Sequence, residues 1–270
     1  MPEAARPRRR SGIGRPIGRL AFFGIAGGVF AGLGLLWWAA TAFDLVKPIF
    51  LPSPGSVAAQ LAKLAADGTL ATDLSASLYR IAVSFLIASA AAIPIGVLIG
   101  TFRPWQAAVE PLVDFVRYMP VVAFVPLSIL WTGTGDGQKF LIIFIGTFFQ
   151  QVLMVMDNVR RVPSDFVNLG RTLGLGDGQI LNRIVVPWAM PGIWDTLRIS
   201  LGWAWTWLVL AELVAATSGL GYRITVSQRF FQTNTIIGYI LLLGLLGLCT
   251  DQVMKGLEHL LFRHLSRGRG

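Results

Sequence analysis

Six apolar runs, each close to the length of a bilayer, dominate this chain and leave few folds open to it. They lie at 20–43, 74–101, 107–131, 140–156, 192–216 and 235–257. A helix needs about 20 predominantly apolar residues to cross the hydrocarbon core. Charged residues make up 14% of the 270, and mean hydropathy is +0.64, whereas a water-soluble domain carries about 25% charged residues. The chain therefore reads as an all-α polytopic membrane protein of about six transmembrane helices. The first run follows "RPRRR", as a signal peptide would, but signal cores are about 7–15 residues long. It is expected to be retained.

The basic residues orient the spans. With the N-terminus in the cytoplasm, fifteen Lys and Arg fall inside and five outside, namely Lys47, Lys63, Lys139, Arg223 and Arg229. Arg80, Arg117 and Arg198 fall within spans or at their ends. The positive-inside bias predicts both termini in the cytoplasm and a multi-pass protein of the inner (plasma) membrane. The parts in order are a basic tail (1–19), the first helix (20–43), an extracytoplasmic segment (44–73), a helical core (74–262) with a cytoplasmic loop (157–191), and a basic tail (263–270). In the extracytoplasmic segment Val57, Leu61 and Leu64 form a stripe at helical spacing, which predicts a short helix on the membrane surface. The net charge of +9 sits in tails and flanks rather than on a folded basic face, so nucleic acid is not an expected partner. The single cysteine, Cys249, reads as a packing residue. His259 and His264 have no acidic or cysteine partner at ligand spacing, so no metal site is read.

The cytoplasmic loop holds the most structured polar stretch, "PSDFVNLGRTLGLGDGQILNRIVVPWAMPG" at 163–192. Ser164 and Asp165 suit a helix start; Phe166, Leu169 and Leu173 then share one face, and Gly174 suits the stop. Asp177 suits a second start, followed by an apolar stripe of Ile180, Leu181, Ile184 and Val185 and an end at Pro187. Two short amphipathic helices form an elbow, one side of which can pack beneath the membrane helices while the other meets a partner. By periodicity alone it could equally be an ordered connection with no partner. Arg171 and Arg183 are too few for a DNA-binding helix-turn-helix.

The spacing Gly174, nine residues, Ile184, one residue, Val186-Pro187 resembles the cytoplasmic signature E-A-A-x3-G-x9-I-x-L-P of permease subunits of ATP-binding-cassette importers. The departures are Asn168, Leu169 and Gly170 in place of Glu-Ala-Ala, and Val186 in place of Leu. "LPSPGSV" at 51–57, "SLYRIAVSFLIASAAAIPIGVLIG" at 77–100, "VPLSILWTGTGDGQKFLII" at 125–143, "AELVAATSGLGYRI" at 211–224 and "LLLGLLGLCTD" at 241–251 resemble the nitrate, sulfonate and taurine branch. The resemblance implies a type I importer fold and a coupling helix seated in a groove of a cytoplasmic ATPase subunit. Its contact set would be Asn168, Leu169, Gly170, Leu173, Gly174, Ile184, Val186 and Pro187. It further implies an extracytoplasmic binding protein, a second permease copy (most simply a homodimer) and a small anion as cargo, such as nitrate, bicarbonate, taurine or another sulfonate. ATP would be bound by the partner subunit, and this chain would need no cofactor and be no enzyme.

The residues agree with that division of labour. "GTGDGQK" at 133–139 lacks the Gly-Lys-Ser/Thr of a phosphate-binding loop, and no Ser/His/Asp set or carboxylate pair converges. Ionisable residues inside spans point to a path or to a pair. Arg117, ahead of Pro120 and Pro126, and Glu212, late in the fifth span, are the candidates for the translocation path. Arg117 snorkelling to the interface and a structural Arg117–Glu212 pair are the alternatives. Trp203 and Trp207 share a face that reads as lipid belt and packing, with Trp205 pointing elsewhere. An ion-driven secondary transporter would need an internal repeat and a midplane ion site. A non-transporting membrane scaffold is the third reading.

Overall fold

The computed structural model describes residues 18–262, and all regular structure among them is helical. The basic tails and His264 therefore fall, apart from Gly18 and Arg19, outside the described residues. Contacts divide the chain after Ser56. In the first unit α1 (Arg19–Ala42) is apolar around its circumference and is a membrane span by length and composition. Within the same unit the Trp37 indole N–H donates to the Pro52 carbonyl at 2.9 Å.

The second unit carries the core. Helix α2 (Pro54–Ala66) opens on Pro54, and the Ser53 hydroxyl accepts the Ser56 N–H at 3.2 Å, a side-chain cap. The predicted stripe of α2 finds protein rather than membrane surface. Val57 is buried, and Leu61 and Leu64 join the main core cluster. The reason is Gly238, whose missing side chain lets Leu61 in; a Cβ there would stand 2.9 Å from Leu61 Cδ2.

Helices α3 (Thr69–Thr101), α6 (Asp136–Arg160) and α9 (Val186–Ala215) form the centre. On α3, Ala88, Ala92, Gly96 and Gly100 recur every fourth residue, with both alanines fully buried. A Cβ on Gly96 would lie 2.7 Å from the Val152 carbonyl, and one on Gly100 would lie 2.8 Å from Val159 Cβ. Small residues at this spacing let helix backbones approach where no hydrophobic effect drives association. A buried polar seam joins the three helices: Gln151 Nε2 donates to Ser89 Oγ at 3.1 Å and to Ser200 Oγ at 2.8 Å.

The third expected span is broken. Helix α4 (Arg103–Arg117) and the stretch Val121–Thr132, a short 3-10 turn leading into α5 (Val125–Thr132), meet at 88°. Pro120 and Pro126 cannot donate backbone hydrogen bonds, and the bend falls at the first of them. Among the described residues five helices are long and apolar enough to cross a membrane, and counting the bent pair gives six. Helix α11 (Thr233–Leu261) closes the unit. Arg198 of α9 ties to it through Asp251 at 3.2 Å and Glu258 at 3.5 Å. Trp205 points to α11 as well, its N–H donating to Thr250 Oγ1 at 3.2 Å. Cys249 faces outward on α11 and is exposed, so it is not the packing residue expected from its apolar neighbours.

Candidate functional site

Two polar constructions stand at opposite ends of the bundle. The first is the elbow between α6 and α9. Helix α7 (Ser164–Thr172) starts at the expected cap residue itself: Pro163 is the N-cap, Ser164 is already helical, and its hydroxyl makes no capping bond. Asp165 in the first turn suits the positive end of the helix dipole. At the other end Leu173 caps. Gly174, at φ +76°, donates its N–H to the Arg171 carbonyl at 2.9 Å, and Leu175 donates to the Gly170 carbonyl at 3.0 Å. This pair of bonds is the Schellman motif, which wants a glycine at the left-handed position.

The chain re-enters helix at α8 (Asp177–Ile180), capped by Gly176, whose N–H donates to Gln179 Oε1 at 3.2 Å; Asp177 occupies the first turn rather than the cap. Pro187 does not end this helix. A π turn (Leu181–Val185) leads straight into α9, with Val186 N–H bonded to the Leu181 carbonyl five residues back. Pro187 sits in the first turn of α9, where a missing N–H is tolerated.

The two apolar stripes of the elbow have opposite fates. Ile180 and Val185 are buried, with Leu181, Ile184 and Val186 partly so, against Val97, Val155 and Val159. Gly170 is buried because α7 lies on this stripe; its added Cβ would be 2.8 Å from Ile184 Cδ1. A glycine here permits the close approach, which is the physical reason for its departure from alanine. The stripe of Phe166, Leu169 and Leu173 faces outward, with Leu173 70% exposed. Asn168 and Pro187 are exposed as well.

The second construction is a buried clasp at the far end, where α9 stops and α10 (Leu220–Arg229) begins. The first N–H groups of a helix have no partner within it, and those of α10 are met by side chains of two other helices. Gly219 N–H donates to Asp73 Oδ1 at 3.0 Å, Leu220 N–H to Ser77 Oγ at 2.9 Å, and Gly221 N–H to Glu212 Oε2 at 2.9 Å. Asp73, Ser77 and Arg80 follow one another at helical spacing along α3. Arg80 binds Glu212 at 2.8 Å, Asp136 at 2.7 Å and the Ser218 carbonyl at 2.6 Å. Asp73 also accepts from Arg223 Nε at 2.8 Å and from the Tyr239 hydroxyl at 2.9 Å. Lys139 is buried beside them, its ammonium held by the carbonyls of Thr134, Gly135 and Ala215. The Gly219 backbone, at φ +121°, lies so close that an added Cβ would stand 2.3 Å from Glu212 Oε1.

Of the two path candidates, Glu212 is fully buried in this clasp. Arg117 lies elsewhere: its side chain is 42% exposed at the end of α4, bonded to Asp114 Oδ1 at 3.0 Å and to the Tyr118 hydroxyl at 3.1 Å. The Arg117–Glu212 pair is not made, because each residue has its own nearer partner. Sequence reasoning missed Asp73, Ser77 and Arg80. Their signal was polar residues at helical spacing in an otherwise apolar span.

Residues 92–263 match the family described as binding-protein-dependent transport system inner membrane component. The chain belongs to this family. The permease is 36% identical over 222 residues to a probable ABC transporter permease protein of Brucella melitensis, covering 82% of this chain and 89% of the relative. It is 30% identical over 236 residues to the taurine transport system permease protein of Escherichia coli, covering 86% of each. Its fold is similar to that of the MetNI methionine ABC transporter in an inward facing conformation, with a TM-score of 0.62 at 18% identity over 69% of this chain and 93% of that one. The permease is thus a multi-pass inner-membrane component of an ABC importer, and its branch is the one that the sequence motifs pointed to.

Proposed function

We propose that the permease forms half of a solute path and couples closure of a cytoplasmic ATPase to uptake of a small anion of the sulfonate type. A second copy supplies the other half, an extracytoplasmic binding protein delivers the solute at the clasp end, both termini are cytoplasmic, and ATP is bound by the partner. The observation that carries this reading is the elbow: a closed, capped turn whose one apolar stripe is buried beneath the bundle while Phe166, Leu169 and Leu173 stand exposed. Apolar residues held outward on a fixed polar segment mark a protein-binding surface. The taurine permease relative supports the choice of cargo. In this reading Arg117, which is exposed, remains a path candidate, whereas Glu212 serves the clasp.

Paired substitutions Leu169→Asp and Leu173→Asp test the elbow. Both positions are exposed, so the variant permease should keep its yield and melting temperature while failing to retain the ATPase through co-purification. Undiminished retention of the ATPase, with uptake intact, would show that the partner docks elsewhere.

A further inference from the structure

A cavity of about 390 Å³ lies between the elbow and the ends of two membrane spans. Thr101 and Phe102, where α3 stops, and Arg160, where α6 stops, line its bundle side. Ser164, Asn168 and Arg171 of α7 and Asp177 of α8 line its elbow side, and the rest of the lining is mostly valine and isoleucine. The ends of two spans mark the boundary between hydrocarbon and water, the level at which lipid headgroups lie. Arg103 and Trp105, which follow at the start of α4, are exposed. Tryptophan gathers at that boundary, with basic residues beside it.

A surface helix normally turns its apolar face to the protein and its polar face to water. Helix α7 does the reverse. Ser164, Asn168 and Arg171 share the face that lines the cavity. Phe166, Leu169 and Leu173 fall roughly half a turn away at 3.6 residues per turn and stand exposed. The polar face is turned to the cavity, yet the protein gives it no partners there. Among the described residues the Ser164 hydroxyl, the Asn168 amide, the Arg171 guanidinium and the Asp177 carboxylate form no hydrogen bond or ion pair. Arg160 is already taken, bonded to both carboxylate oxygens of Glu110 at 2.9 and 3.4 Å. Polar groups left without protein partners take water or a ligand.

We infer that this cavity holds the headgroup of a membrane phospholipid that carries a primary ammonium beside its phosphodiester, as phosphatidylethanolamine does. Arg171, Asn168 and Ser164 are the donors that phosphate oxygens require, and a planar guanidinium suits phosphate in particular. Asp177 is the acceptor for the ammonium. Basic pockets between spans at the membrane surface are a recurring form of lipid-headgroup site; the free carboxylate here adds a preference for a headgroup with a donor of its own. Exposed Trp105, Leu112 and Phe115 of α4 offer apolar surface to the acyl chains. The lipid completes the polar contact between α7 and the span ends that side chains leave open. Its level is set by the span ends alone, and so holds whichever face of the membrane the elbow occupies.

The test places the full-length permease in nanodiscs of phosphatidylcholine, alone or mixed equally with phosphatidylethanolamine. The two headgroups carry the same net charge and differ in whether the nitrogen can donate a hydrogen bond, so surface potential does not enter. Val167→Cys on a Cys249→Ala background puts one thiol on the cavity wall, and Leu173→Cys puts one on the outward face. Phosphatidylethanolamine should slow the reaction of the Val167→Cys variant with uncharged N-ethylmaleimide about fivefold, as 1 + [L]/Kd gives for sites about four-fifths filled. The Leu173→Cys variant should react at one rate in both lipids. Adding Arg171→Gln or Asp177→Asn should abolish the protection; both residues are exposed, so the melting temperature should hold. Equal rates in the two lipids, protection that survives both charge substitutions, or no labelling of the Val167→Cys variant in any lipid would each overturn the assignment. Equal protection by phosphatidylglycerol would remove the ammonium from it. Protection by dissolved glycerophosphoethanolamine in pure phosphatidylcholine discs would give the cavity to a soluble ligand and overturn the lipid.

Discussion

Gly174 shows how one residue sets the geometry of the elbow. Its φ of +76° is a left-handed conformation, and nothing lies within 4 Å of an added Cβ. The penalty for replacing it is therefore conformational, about 1–2 kcal/mol for any side chain, and bulk adds nothing. Gly174→Ala and Gly174→Trp should lower the stability of the elbow equally, read as faster amide exchange at Gly174 and Leu175, whose N–H groups close the motif. A much larger effect of tryptophan would mean that packing, not backbone strain, governs the turn. Glu212 obeys a different rule, because the cost of losing it lies in what remains. Glu212→Leu strips Arg80 of one of its two carboxylates and leaves the Gly221 N–H without its acceptor. Removing one member of a buried pair costs about 3–5 kcal/mol, so folded yield and melting temperature should fall sharply. Adding Arg80→Met should recover part of the loss, and absence of any recovery would show that the two side chains are not energetically coupled.

At the scale of elements, Ser77 tests whether side chains of α3 hold α10 in place. Its hydroxyl donates to both Glu212 oxygens, at 2.8 and 3.0 Å, and accepts from Leu220 N–H. Ser77→Ala leaves a buried N–H unpaired at a cost of about 1–3 kcal/mol, and hydrogen exchange should rise in the first turn of α10 before it rises in α6. Uniform loosening of the bundle would instead make Ser77 a general packing residue. The spans and the elbow were legible in the sequence because each is a local pattern: apolar length for the spans, and helical spacing closed by glycine for the elbow. The clasp was not, since Ser77 and Glu212 stand 135 residues apart and no local period encodes which helices meet. The prolines near Arg117 rightly signalled irregular backbone, and the bend leaves Arg117 at an exposed helix end. Pro187 misled in the opposite sense, since a π turn carries the helix past it.

For the whole molecule, α9 is the element that joins the two polar ends. From Asp177 to Ala215 the helix runs 39 residues through the π turn, roughly 58 Å at 1.5 Å per residue. Its start is the buried stripe of the elbow, and its last turns carry Glu212 into the clasp. In the proposed coupling, a push received at α7 reaches the far end through this rod if the rod stays stiff. Thr206, exposed and midway along the transmembrane part, is a place to break the rod without touching either end. Thr206→Pro removes one backbone bond and kinks the helix at about 3 kcal/mol, whereas Thr206→Ala keeps it straight. In reconstituted complexes the proline variant should still bind the ATPase and hydrolyse ATP at the basal rate. It should lose stimulation by the loaded binding protein together with uptake, while the alanine variant retains both. Uptake surviving the kink, in a variant shown to be folded by its melting temperature, would mean that the signal travels through α3 and α6 instead.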